Sequence, residues 1–287
     1  MNNYTIFTDS SVDLSRELLD KRGVISAPLS FRFDNEATIS NDDIKIEEFY
    51  KKMRDGGVAK TAAVNPNRFI SKFEEALKQG KDILYIGFSS GLSTTFNSAR
   101  LAANQLRTKY PERKILTIDS LAASCGIALL IDLVIEQKNN GATIEEAAKY
   151  AEDMKLKICH WFTVDDLVYL KRGGRVSPTA AFFGNMLGIK PVLHVDNEGH
   201  LIPVAKVRGR RLSIDTLAEK YALMHDENAQ KKVYISHADC KQEAEYLASV
   251  IKTKYGAETE LISDVGPVIG AHSGPGTIAL FFVGKER

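Results

Sequence analysis

The chain has 287 residues, 44% of them hydrophobic and 26% charged, with a formal net charge of +1. That length is comfortable for two domains and a substantial core, and the balanced charge argues against a general nucleic-acid binder or a protein held to anionic lipid by charge. The cysteines, Cys125, Cys159 and Cys240, have neither the number of a disulfide framework nor the spacing of a zinc site, and read as small buried hydrophobes. The opening "MNNYTIFTDS" lacks a basic segment followed by an apolar run. The longest apolar stretch, around "GIALLIDLVI", is interrupted by Asp132 and too short to span a bilayer. A cytoplasmic protein is expected, with at most transient membrane contact.

The first half alternates strands and helices. "YTIFTD" is a β-forming run, "SVDLSRELLDKRG" a helix stopped by Gly23, and "VISAPLSFRF" an extended segment. "DNEATISNDD" reads as a turn region and "IKIEEFYKKMRDGG" as a helix capped by Asp42 or Asp43. After an extended "VAKTAAV", "NPNRFISKFEEALKQG" places proline early in a helix and glycine at its stop. "DILYIGFSS" and "KILTIDS" are buried strands, each followed by a helix: "STTFNSARLAANQLRTKY" and "AASCGIALLIDLVIEQKNNG". "TIEEAAKYAEDMK" opens with a threonine and glutamate spaced for a capping box. Apolar strands alternating with helices predict a parallel sheet covered on both faces, a Rossmann-like α/β domain over residues 1–157.

The second half, residues 158–287, predicts a mixed-sheet α/β domain. "HWFTVDD" is a strand, "DLVYLKRGG" a short helix, and "PTAAFFGNMLG" an apolar helix. "KPVLHVDNEGHLIPVAKVRG" is a hairpin turning at "DNEG". Two amphipathic helices, "SIDTLAEKYALMHDE" and "CKQEAEYLASVIKTKYG", flank the strand "KKVYISH", and "ETELISDVG" and "TIALFFVG" are closing strands. Between those last two lies "GAHSGPGT", with too much backbone punctuation for a helix.

Ligands of parallel sheets bind at the carboxyl ends of the strands. Here those ends carry "TDSS", "FSSGLSTT" and "IDSLAAS", with Lys60, Thr61 and Asn65 nearby in "KTAAVNP". Any one of these hydroxyls could be a helix cap, but "SSGLSTTFNS" holds more than one cap needs and points to an anion site at a helix start. Asp9 and Asp119 would orient loop amides. In "YLKRGGR", Arg172 or Arg175 could grip a carboxylate or phosphate, or simply end a helix; "KVRGRR" is solvated surface or a docking patch. There is no Walker A sequence or dinucleotide fingerprint, so no cofactor is expected, and Thr95 stands where a nucleophile elbow needs glycine. His272 remains open as a base, an anion holder or a surface residue. A serine hydrolase or acyltransferase built on Ser93 and His272 is an alternative, as is a nucleotide-binding module.

The motifs "TDS", "KT", "SSGLS" with "NSA", "YLKRGGR", "IKPVL" and "HSGPG", in this order across nearly the whole chain, resemble the DegV family of bacterial lipid-binding proteins. The resemblance implies two α/β domains with a long-chain fatty acid buried between them. It implies a carrier, not a complete enzyme, which presents the carboxylate to a separate ATP-binding kinase subunit for acyl phosphate formation and phospholipid synthesis. It implies that Thr61, Ser93 and His272 hold the carboxylate with Arg172 in support, and that Ala62, Gly91, Thr94, Ser273 and Gly274 surround them. Ala62 stands where the family usually has serine, and Thr94 where it often has glycine. The large apolar residues Phe182, Phe183 and Met186 would shape the acyl tunnel.

Overall fold

The computed structural model describes residues 3–34, 36–176 and 188–287. The first half comprises β1 (Tyr4–Asp9), α1 (Arg16–Arg22), β2 (Val24–Ala27), β3 (Ser30–Phe33), β4 (Ile39–Ser40), α2 (Ile46–Arg54) and β5 (Ala59–Ala62). It continues with α3 (Pro66–Lys78), β6 (Asp82–Gly87), α4 (Thr95–Lys109), β7 (Ile115–Asp119), α5 (Cys125–Asn139) and α6 (Ile144–Met154). The second comprises β8 (Ile158–Thr163), α7 (Val168–Arg172), β9 (Ile189–Val195), β10 (Leu201–Arg208), α8 (Arg210–Met224) and β11 (Lys232–His237), then α9 (Lys241–Tyr255), β12 (Glu258–Asp264), α10 (Pro267–Ser273) and β13 (Ile278–Val283). The helix expected in "PTAAFFGNMLG", with Phe182, Phe183 and Met186, lies outside the described residues except at its last glycine.

A parallel sheet runs in the order β2–β1–β6–β7. Alternation along its strands sends Phe7 and Tyr85 toward α3, where they meet Phe69 and Phe73 edge-on or tilted. Ile6, Leu84 and Ile86 point the other way, toward α5 and α6. The second sheet is mixed, in the order β10–β9–β8–β13–β11–β12, with only β11 and β12 parallel. The short strands β4, β3 and β5 form a third, antiparallel sheet.

Residues two apart on the central strands of the mixed sheet divide its two faces. Cys159, Trp161, Val233, Ile235, Leu280 and Phe282 pack outward against Leu217 and Tyr221 of α8 and Leu247 and Ile251 of α9. His160, Phe162, Tyr234, Ser236, Ala279 and Phe281 face inward. Helix α5 lies between the two large sheets, touching β6 on one side and β8, β11 and β13 on the other. That position accounts for a helix that is apolar all round. Its Asp132, the charge inside the longest apolar run, chelates Arg22 at 2.7 and 2.9 Å and accepts from the Tyr234 hydroxyl at 2.7 Å.

Four local expectations change. Helix α1 starts only after Ser15, which accepts from Leu18 N, because Asp13 adopts the left-handed region with φ 56. "VISAPLSFRF" breaks at Pro28 into β2 and β3, which belong to different sheets. Helix α2 is entered through Lys45 with no side-chain cap, not through Asp42 or Asp43. The first half of "GAHSGPGT" is helical, the end of α10.

Candidate functional site

Inside the sheets lies a cavity of about 310 Å³, lined by residues from both halves of the chain. Its wall is mostly apolar and includes Leu29, Phe88, Leu92, Phe162, Val268 and Phe281. Thr61, Ser93, Arg175, His272 and Ser273 line it as well. These come from four places: the end of β5, the loop before α4, the segment after α7, and the end of α10.

Thr61 Oγ1 lies 2.8 Å from His272 Nε2. The other ring nitrogen, Nδ1, has no hydrogen-bond partner among the described residues and sits against Gly173, where an added Cβ would fall 2.1 Å away. Burial, and next the Arg175 cation, push the His272 pKa down to about 4, so the ring is neutral at neutral pH and carries one proton. A proton on Nδ1 would be a buried donor without an acceptor. The surroundings therefore assign it to Nε2, which donates to Thr61 and leaves the threonine hydroxyl hydrogen for a ligand.

Ser93 is prepared in the same way. Its Oγ accepts from Thr95 N at 3.2 Å and lies 3.0 Å from Thr95 Oγ1, which itself accepts from Val64 N at 3.4 Å. When the Thr95 hydroxyl donates in that contact, the Ser93 hydroxyl hydrogen is left for a ligand. It stands at the start of the 15-residue helix α4, where the backbone dipole favours negative charge. Arg175 Nε donates to Leu92 O at 3.0 Å and Nη1 donates to Gly173 O, tying the two loops together beside the hydroxyls. Two O–H donors, a helix N-terminus and a guanidinium suit an anionic head group; the apolar wall suits a hydrocarbon tail.

Of the residues singled out from the sequence, Thr61, Ala62, Ser93, Thr94, His272 and Ser273 all line this cavity. Arg172 does not: it is exposed, its guanidinium 5.7 Å from the Tyr169 ring centre. Gly91 packs against the turn between β9 and β10, a Cβ there falling 2.8 Å from Glu198 O. Gly274, at φ 81, makes room for the Tyr169 ring, which a Cβ would approach to 2.3 Å. Ser93 is paired with Thr95 rather than with His272, and no carboxylate among the described residues orients His272. Asp9 accepts from Ser11 N, Phe88 N and Tyr85 Oη, and Asp119 from Ser90 N and Leu121 N, so both hold strand-end loops. In "KVRGRR", Arg210 pairs with Glu243 at 2.7 Å and Arg211 lies over the Tyr246 ring. Sequence reasoning missed Thr95 and Gly173; the run of hydroxyls in "SSGLSTT" and the paired glycines of "KRGGR" were the available signals.

The model of a family of uncharacterised proteins, DegV, matches residues 3–285. The chain is 41% identical to a DegV domain-containing protein of Clostridium perfringens, covering 100% of this chain and 99% of that one. Its fold is similar to that of a DegV lipid-binding protein of Thermotoga maritima, with TM-score 0.88, 32% identity and 99% of each chain covered. It is also similar to a second protein of that organism, whose structure is reported to reveal a fatty acid binding function, with TM-score 0.87, 31% identity, and 99% and 100% of the two chains covered. Among the described residues no helix is long and apolar enough to cross a membrane. With the family model and the curated relative both spanning nearly the whole length, the chain belongs to the DegV family.

Proposed function

We propose that this protein binds one long-chain fatty acid between its two α/β units, residues 1–157 and 158–287, and presents the carboxylate to a separate ATP-dependent kinase subunit that converts it to acyl phosphate. The observation that carries the binding step is the pairing of two cavity-lining hydroxyls, Thr61 and Ser93, with a mostly apolar wall. The fatty acid binding reported for a relative of similar fold supports the same reading.

The carboxylate accepts from Thr61 and Ser93, the Arg175 cation lowers its energy, and the start of α4 adds its dipole. Hydrogen bonds to a charged group contribute about 1.5–3 kcal/mol each. The tail then contributes about 0.8 kcal/mol per buried CH₂. His272 works through Thr61, fixing the direction in which that hydroxyl donates. Ala62 and Thr94 border the head group, and Ser273 adds a buried hydroxyl to the same wall. Gly91 and Gly274 shape the loops behind it.

The kinase step rests on the family motifs and on chemistry. Phosphorylating a carboxylate needs a phosphoryl donor, and this chain carries no glycine-rich phosphate fingerprint of its own. The test has two arms. Titration with fatty acids of increasing length is expected to raise affinity about fourfold per methylene until the cavity is filled. A family kinase subunit supplied with ATP is then expected to form acyl phosphate only when this protein delivers the acid. Equal acyl phosphate yield without this protein would contradict the carrier role.

A further inference from the structure

Helix α10, which ends in His272 and Ser273, is not held by its own sequence. It has 7 residues, and its N-cap residue, Gly266, has no side chain to cap it. The caps come from the other end of the chain. Asn41 Oδ1 accepts from Val268 N at 3.0 Å, and Asp13 Oδ1 accepts from Gly266 N at 2.9 Å. Ser263 Oγ donates to the Asp13 carbonyl at 2.6 Å, and the Tyr50 hydroxyl donates to Val265 O at 2.6 Å. The fit is close: a Cβ on Gly266 would lie 2.8 Å from Asp13 Oδ1 and 3.3 Å from Asn41 Nδ2.

Asp13 is itself held in an unusual state. It is 6% exposed and sits at φ 56, a backbone conformation that aspartate tolerates better than most residues. Its Oδ2 has no hydrogen-bond partner among the described residues. Beside it, Ser124 Oγ donates to Ser236 Oγ at 2.9 Å, and both serines line the cavity.

We propose that Asp13 is a positioning residue for the head-group site: with Asn41 it fixes the start of α10, and so fixes where His272 meets Thr61. The inference rests on reading the cavity as a fatty-acid site, but its test does not. The titratable groups facing the Asp13 carboxyl are Asp9 at the end of β1, Asp264 at the end of β12, Tyr50 on α2 and Cys125 at the start of α5. Burial, opposed by the Gly266 N–H and reinforced by the Asp264 and Asp9 charges, lifts the carboxyl to about 7. Below that pH it holds a proton with which to meet Ser124; above, it is an unpaired anion.

The experiment uses the full chain and two readouts: oleate affinity against pH, and the ring-nitrogen NMR signals of His272 in the lipid-free protein. Wild type is expected to lose affinity a few-fold as pH rises through about 7. Asp13→Asn, whose amide offers Gly266 an acceptor and Ser124 a fixed donor, is expected to bind as wild type at low pH without that step. Asp13→Ala is expected to bind about tenfold more weakly at every pH and to shift the His272 signals, the size of effect that losing a helix cap produces. Gly266→Ala, which leaves the carboxyl in place and crowds it, is expected to shift the same signals. Wild-type affinity and unshifted His272 signals in Asp13→Ala would overturn the proposal. If wild type binds no oleate, the fatty-acid reading fails, and the His272 signals alone decide the positioning role.

Discussion

His272 Nε2 and Thr61 Oγ1 lie 2.8 Å apart although 211 residues separate them in the chain. That contact joins the last helix, α10, to the small antiparallel sheet of the first half. With Nε2 as the donor, it also leaves the Thr61 hydroxyl hydrogen for a ligand. The proposed head-group site therefore draws on both halves of the chain.

Removing the two cavity-lining hydroxyls is predicted to weaken binding sharply and to cost stability as well. Thr61→Ala with Ser93→Ala gives up two hydrogen bonds to a charged group, so oleate affinity is expected to fall by roughly a hundredfold or more. The melting temperature of the lipid-free protein is also expected to fall, because the two oxygens accept from His272 Nε2 and Thr95 N, and the variant leaves both donors without those partners. Dye-displacement titration alongside thermal unfolding measures both.

The paired glycines of "KRGGR" are predicted to fail for different reasons. A Cβ on Gly173 would fall 2.1 Å from His272 Nδ1, whereas Gly174 has open space but sits at φ 67. Gly173→Ala is expected to lower oleate affinity about tenfold by displacing the imidazole. Gly174→Ala is expected to cost about 1 kcal/mol of stability and to affect affinity much less. Chemical denaturation and ligand titration of both variants separate the two effects.

Arg175 and Arg172 are predicted to differ as their positions do. Arg175→Ala removes a cation from the cavity wall and the tie to Leu92, so affinity is expected to fall about tenfold. Arg172→Ala removes an exposed side chain lying over Tyr169, and a change of no more than about twofold is expected. Titration with oleate at moderate salt distinguishes them.

Two buried groups are predicted to pull stability in opposite directions with pH. The His272 pKa is about 4 in the folded protein against 6.5 for the free side chain. The unfolded chain therefore binds the extra proton in that window, and stability is lost as pH falls through it, on the order of 3 kcal/mol at the acid end. Asp13 behaves inversely. Its carboxyl stands at about 7 against 3.8, so the folded chain keeps the proton and stability falls as pH rises between those values. Urea unfolding of His272→Gln and Asp13→Asn against wild type, across the acid range, reads each slope separately.

Much of this was legible in the sequence, for identifiable reasons. Hydroxyls at the ends of buried strands mark a ligand crevice because a parallel sheet opens there, and Ser93 and Thr61 are found on that side. The choice between Arg172 and Arg175 was not legible. The chain turns at Gly173 and Gly174 between them, and only the fold shows that the first arginine faces outward and the second inward. Nor was the helical state of "GAHS". Its caps, Asp13 and Asn41, lie 253 and 227 residues from the amides they satisfy, beyond any local signal. Asp13 itself read as part of a helix, because a single left-handed residue leaves no mark on hydrophobic periodicity.

Mass spectrometry of the natively purified protein tests the fatty-acid site most directly. One fatty acid per chain is expected, released on denaturation and depleted in the Thr61→Ala, Ser93→Ala variant. A chain that emerges free of lipid and does not take up oleate or palmitate when offered them would contradict the assignment.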